Sequence, residues 1–211
     1  MITPEAYVAL LLDHLRPVPT AVEEVPVTEA VGRVLAGDVR ARLAVPPFTN
    51  SAMDGFALDS SLLLGEGPWT LPVSGDTAAG DIPGPWAGGA VRIMTGAPLP
   101  EGADCVVRVE DTDAVHDAVN APASITFAPR PRPGQNVRRR GEDLLEGDVV
   151  MEAGQPLGML APASLVSVGI STVPVRCRPR VAVVATGAEL VASGTLPGEA
   201  QIPDSDSLIV A

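Results

Sequence analysis

Apolar positions fall into different rhythms along the 211 residues. Near the start, Tyr7, Leu10, Leu11 and Leu15 recur every three or four residues, with His14 on the same face. That is the period of a helix. Thr3-Pro4-Glu5 supplies its start: a capping hydroxyl, a proline at the first helical position and an acid in the first turn. Pro17 stops it. A second short helix is predicted over 28–35, with Gly37 as its end signal. Val39, Ala41 and Leu43 then alternate with Arg40 and Arg42, the pattern of a strand with one wet face.

From 59 to 135 the helical period is lost. Short apolar runs at 69–73, 89–94, 104–109 and 124–128 are separated by Gly, Pro, Asp and Asn, which predicts an all-β block. Residues 80–85 read as an exposed loop within it. A short strand is predicted over 149–151, a helix over 157–167 ending near Gly169, and a strand around Val173 and Val175. The run 181–185 is apolar and β-branched without alternation, as for a strand buried on both faces. It leads into the turn Thr186-Gly187-Ala188-Glu189-Leu190, the kind of step that opens an α/β unit.

Composition sharpens this picture. Pro (22) and Gly (21) make a fifth of the chain, favouring turns and short strands over helical bundles. The formal net charge is −12, and all fourteen basic residues are arginine. Such acidity argues against a nucleic-acid or anionic-membrane partner, and the lack of lysine excludes a P-loop in these residues. Cys105 and Cys177 stand far apart without a CxxC spacing, and His14 and His116 show no ligand spacing with them. No apolar run reaches membrane length, so a soluble cytoplasmic protein is expected.

The richest chemistry lies in residues 46–58. Pro46 and Pro47 set an extended approach; Thr49, Asn50 and Ser51 supply a turn; Met53, Phe56 and Leu58 can bury while Asp54 sits beside Gly55. Asp54 is either a turn former or a site carboxylate. Further on, Thr95 closes a strand with a Thr-Gly turn and a proline-rich loop, which is either a rigid structural loop or a phosphate or oxyanion contact. Arg138, Arg139 and Arg140 precede Glu142 and Asp143, either as a solvated charged turn or as guanidinium forks for phosphate.

Ser51-Ala52-Met53-Asp54-Gly55-Phe56-Ala57 resembles the signature of the MoeA/gephyrin family, the molybdopterin molybdenumtransferases. Four further segments resemble that family in the same order: Thr95-Gly96-Ala97-Pro98-Leu99-Pro100, Arg140-Gly141-Glu142-Asp143, Thr186 to Leu190, and Gln201-Ile202 with Asp204 to Ser207. Ala188, Ala200 and Asp206 depart from the family pattern. The resemblance implies insertion of molybdate into adenylylated molybdopterin with release of AMP, dependence on Mg²⁺, and an elongated homodimer. It implies Asp54, Asp143 and Glu189 as catalytic and metal-positioning acids. It further implies Ser51, Thr95, Thr186, Asp204 and Ser205 as ligand-binding residues.

The implied fold class is a mixed α/β multidomain chain. A discontinuous helix-strand scaffold or dimerisation domain takes 1–45 and 141–178. An inserted β-rich domain takes 46–140, and the start of an α/β, MoaB/Mog-like molybdopterin-binding domain takes 179–211. A lone βα start cannot bury both its faces, so the chain is expected to be part of a longer protein and inactive alone. The alternative function is a non-catalytic dimerisation or scaffold module of the same architecture.

Overall fold

The structure, a computed structural model, describes residues 2–14, 20–86, 88–115, 120–128 and 130–210. In chain order its elements are helix α1 (Pro4–His14), then strands β1 (Val22–Pro26), β2 (Val39–Arg40), β3 (Asn50–Ser51), β4 (Gly55–Leu58) and β5 (Trp69–Thr77). Next come β6 (Ala90–Ile93), β7 (Cys105–Arg108), β8 (Ser124–Phe127), β9 (Val137–Arg138), β10 (Val149–Met151) and helix α2 (Ala161–Ser167). The last are β11 (Thr172–Arg176), β12 (Leu190–Val191), β13 (Ile202–Pro203) and helix α3 (Asp206–Val210). Glu24–Val175 forms one compact unit, and Met1–Glu23 with Arg176–Ala211 forms another.

Two regions of aliphatic packing build the larger unit. In the first, the ladders β1–β11 and β2–β10 and helix α2 enclose Val25, Leu35, Val39, Leu165, Val173 and Val175. The second surrounds a five-stranded sheet in the order β7-β4-β6-β5-β8, antiparallel except where β5 runs parallel to β6. All four residues of β4 are buried. Successive side chains of a strand point to opposite faces. Phe56 and Leu58 therefore pack with Cys105, Val107, Ile125 and Phe127, while Ala57 packs with Ile93, Ala97 and Val106. The four apolar runs of the β block thus become β5 to β8.

Gly55 is required by this sheet. A Cβ there would collide with the carbonyl oxygen of Val107 on β7, so the glycine admits a neighbouring backbone. Arg130 is also structural: its guanidinium donates to the Leu63 carbonyl at 2.7 Å and lies over the Trp69 ring, 5.9 Å from its centre.

Several local expectations differ from the structure; Met53 and Leu43, for instance, are exposed and the strand at Val39 ends at Arg40. Residues 28–35 form no α-helix; Val27–Glu29 makes a single 3-10 turn. Beyond it, the N–H groups of Gly32 and Leu35 donate to the carbonyls of Leu157 and Gln155 at 2.8 and 3.0 Å. Thr28, Val31 and Val34 are β-branched and weak helix formers, and an extended path buries Leu35 completely. Helix α2 begins only at Ala161; the Leu157 carbonyl, which would accept the first bond of a helix starting there, accepts instead from the Gly32 N–H at 2.8 Å. The run 181–185 is not a strand, and Val181 and Val184 are 76% and 79% exposed. An apolar run becomes a sheet strand only where flanking strands take up its N–H and C=O groups, and none of the described strands pairs with it.

The smaller unit holds α1, the parallel pair β12–β13 and α3. None of the residues of α1 is buried, and His14 Nδ1 lies 2.9 Å from the Leu10 carbonyl. The expected contributions of Leu15, Pro17 and His116 lie outside the described residues. Among the described residues no helix is long and apolar enough to cross a membrane.

A long-range staple ties the turn after β4 to the start of β7. The N–H and hydroxyl of Ser60 donate to the Asp104 carboxylate at 2.8 and 2.7 Å. Burial pushes that carboxyl upward, but the bonds from Ser60 outweigh it and hold the group below the usual aspartate value. Asp104 is therefore the stronger acid in the folded chain. The stability it contributes is present above the unfolded aspartate value and is lost as pH falls through the lower folded one. Asp104→Asn is expected to cost about 1–2 kcal/mol in urea denaturation near neutral pH. It should also remove part of the acid-side loss of stability expected of the unsubstituted chain.

Candidate functional site

Backbone pairing brings two of the sequence motifs together. On one side β3 pairs with β9, Asn50 opposite Arg138 and Ser51 opposite Val137. On the other, β3 meets the loop after β6. The Gly96 N–H donates to the Ser51 carbonyl at 2.8 Å, Ser51 N–H to Ala97 at 3.0 Å, and Leu99 N–H to Thr49 at 3.1 Å. Gly96 takes φ +81°, in the left-handed region that glycine enters without strain, and this turn lets the loop run back along β3.

Ser51 is fully buried. Its hydroxyl donates to the Met53 carbonyl and accepts from the Met53 N–H, closing the turn that delivers Asp54. Thr95 then meets Asp54 twice: its N–H donates to Oδ1 at 2.7 Å and its hydroxyl to the same oxygen at 2.9 Å. The backbone is anchored as well, the Val109 N–H donating to the Asp54 carbonyl at 3.1 Å. Asp54 is thus an exposed carboxylate with a set orientation. In this arrangement the hydroxyls of Ser51 and Thr95 serve the chain itself.

The Asp143 segment docks on the opening of the same stretch. Arg140 N–H donates to the Thr49 hydroxyl at 3.2 Å, Gly141 N–H to the Pro46 carbonyl at 3.0 Å and Asp143 N–H to the Val45 carbonyl at 3.0 Å. The Asp143 side chain is exposed and makes no hydrogen bond or ion pair among the described residues. Glu142 accepts from the Arg139 N–H at 2.9 Å, and Arg140 faces Glu146 at 4.0 Å in open solvent. A pair so exposed contributes little to stability.

In the smaller unit the other candidates converge. Ile202 N–H donates to the Glu189 carbonyl at 2.7 Å and Asp204 N–H to Val191 at 2.9 Å, which sets the Glu189 turn beside the 202–205 tail. Thr186, Glu189 and Ser205 are exposed. The Asp204 carboxylate accepts from the Ser207 N–H at 3.1 Å and from its hydroxyl, at the start of α3. Asp206 lies in the first turn of that helix, where a negative charge is favourable. Ala200 needs no positive φ.

Carboxylates are the hard oxygen donors that Mg²⁺ takes. Among the described residues, however, no three acids, cysteines or histidines gather as a metal site. The chain thus matches such a cation by donor type but not by ligand number in one place.

One feature of the site carries no sequence signal. A cleft of about 90 Å³ opens beside Asp54, walled by Phe56, Ile93, Met94 and Val109, with Arg92 at its edge. Arg92 and Asp76 form a 2.6 Å ion pair between neighbouring strands, sixteen residues apart in the chain.

Residues 2–169 match the family model described as the MoeA N-terminal region (domain I and II). A Mycobacterium tuberculosis protein (strain ATCC 25618 / H37Rv) named molybdopterin molybdenumtransferase 2 is 42% identical over 195 residues, 89% of this chain and 46% of its own. The molybdopterin molybdenumtransferase of Haemophilus influenzae is 39% identical over 212 residues, 100% of this chain and 50% of its own. The crystal structure of molybdopterin biosynthesis MoeA protein from Pyrococcus horikoshii OT3 superposes with a TM-score of 0.83 at 32% identity, over 96% of this chain and 53% of that one. The chain spans about half the length of the curated relatives it matches.

The geometry separates Ser51 from Thr95. Ser51→Ala strips a buried turn of both its side-chain bonds and is expected to cost about 2 kcal/mol. Thr95→Val keeps the N–H bond to Asp54 and should cost at most about 1 kcal/mol. Equilibrium urea unfolding of the two variants checks the order.

Proposed function

The chain belongs to the MoeA family as its N-terminal region, and from that premise we propose that it forms part of a molybdopterin molybdenumtransferase in molybdenum cofactor biosynthesis. The observation that carries this reading is the joining of two motifs at one point, where Thr95 holds the Asp54 carboxylate by two hydrogen bonds. The proposed reaction inserts molybdate into adenylylated molybdopterin, with AMP as the leaving product and molybdenum cofactor as the other.

Both substrates are anionic, and this chain carries a formal charge of −12. Carboxylates at such a site need an intervening cation, and Mg²⁺ is the one proposed; when bound it would offset the negative charge of acid and phosphate. Asp54, Asp143 and Glu189 are its proposed holders. A homodimer supplies them together, the Asp54 group from one subunit and Glu189 from the other. Thr95 orients Asp54, Ser51 shapes the turn beneath it, and Thr186, Asp204 and Ser205 border the ligand on the Glu189 side.

In this reading residues 1–45 and 141–178 are the scaffold and dimerisation domain, 46–140 the β-rich domain, and 179–211 the beginning of a MoaB/Mog-like molybdopterin-binding domain. The proposed location is the cytoplasm. The alternative reading is a dimerisation or scaffold module without its own catalysis.

In a protein of the relatives' full length, Asp54→Asn, Asp143→Asn and Glu189→Gln are each expected to lower molybdate-dependent AMP release about 100-fold. Each should also change its dependence on Mg²⁺. The 211-residue chain alone should release no AMP. Full activity in all three variants would leave the scaffold reading in place.

A further inference from the structure

We propose that the groove framed by Phe48, Trp86 and Glu101 docks an extended segment of a partner protein, one that carries an arginine among apolar residues. The groove holds about 820 Å³, and Pro83, Pro85 and Pro98 complete its apolar walls. That space is near the top of the range in which drug-sized guests are held, room for several side chains rather than one. All of it belongs to the larger unit, and none of its lining residues borders the cleft beside Asp54.

The walls are set before anything binds. Each proline ring fixes its own φ. The Phe48 carbonyl accepts from Nδ2 of the buried Asn50 at 3.1 Å, and the Leu99 N–H donates to the Thr49 carbonyl at 3.1 Å. On another wall, the Ala78 N–H donates to the Asp81 carboxylate at 2.9 Å, closing the turn that leads into Pro83. The Trp86 ring rests against Gly102, where a Cβ would come within 3.1 Å of two ring carbons. Its Nε1 is buried and finds no acceptor among the described residues, so the indole shows the groove carbon and π surface. Phe48 is 43% exposed and adds a second ring.

Charge and donor balance select the guest. Glu101 is the single charged side chain on the lining; it is exposed and makes no hydrogen bond or ion pair among the described residues. The three prolines carry no N–H, and that of Leu99 is already used. The balance therefore tilts to acceptors and ring faces, which a guanidinium meets with five N–H groups and a flat cation. An anion would find a carboxylate, no basic side chain on the lining and a chain charge of −12. A lone small cation would meet Glu101 but leave the proline walls bare. An arginine flanked by apolar residues in an extended chain meets both.

The probe is the capped peptide acetyl-Leu-Pro-Arg-Pro-Leu-amide, titrated into the isotopically labelled 211-residue chain while amide resonances are followed. Shifts are expected at amides 48, 49, 84, 86, 99 and 101. The same peptide with glutamine in place of arginine should bind about five-fold more weakly. Trp86→Ala should weaken the arginine peptide about ten-fold, and Phe48→Ala, at an exposed position where the fold is retained, about five-fold. Glu101→Gln should weaken it about three-fold and flatten its dependence on salt.

Absence of shifts at these amides overturns the proposal, as does equal affinity for the arginine and glutamine peptides or unchanged affinity in all three variants. N-acetyl-arginine amide binding as tightly as the peptide would make a small cation the guest and overturn the docking role. Broadening of the same amides that grows with protein concentration, without peptide, would make a second copy of this chain the occupant and overturn it too.

Discussion

Where β4 lies against β7, the Val107 carbonyl occupies the space that a side chain at position 55 would need. Much of the larger unit follows from that approach. It lets β4 sit inside the sheet with β7 on one edge and β6 on the other, so all four of its residues are buried. A strand so enclosed has its register set by packing, since a one-residue slip would send Phe56 and Leu58 to the wrong face. Asp54 is the residue just before this enclosed segment. Its backbone is anchored by Val109 and its carboxylate by Thr95, so a rigid sheet presents an exposed acid in one orientation.

The site is otherwise made by backbone pairing between loops. Strand β3 has only two residues, yet it bonds β9 on one side and the 96–99 loop on the other. Thr49 and Pro46 then accept from the Arg140 to Asp143 segment. Three motifs separated by roughly forty residues each thus meet along one short stretch, because buried backbone donors and acceptors must find partners. Proline and glycine, abundant in these loops, remove unwanted donors and supply the turns that make the meeting possible.

The acids divide by environment. Asp104 and Asp76 are tied to Ser60 and Arg92 and act within the β sheet region. Asp143 stands exposed beside a run of three arginines, and Glu189 stands exposed on a turn of the smaller unit. Side chains of the first kind hold the fold together, and those of the second are open to ligand. Such a split is what the proposed anionic substrates require, since an acid already saturated by the chain has little left to offer a cation.

From primary structure alone came the family, through the words around Asp54, Thr95, Asp143, Glu189 and Asp204. The strands of the β block were also legible, because 69–73, 89–94, 104–109 and 124–128 are apolar runs bounded by strong turn residues. The fate of 28–35 was not: its helical spacing lost to long-range bonds with Gln155 and Leu157, which no local window contains. Nor was the fate of 181–185, whose apolar composition specifies a strand only when neighbours pair with it. The Asp104–Ser60 staple, the double hold of Thr95 on Asp54 and the cleft beside it likewise join residues forty or more apart, or sheet faces that meet only on folding. Local pattern determines what each segment is able to become. Partners distant in the chain decide which of those possibilities satisfies every buried polar group.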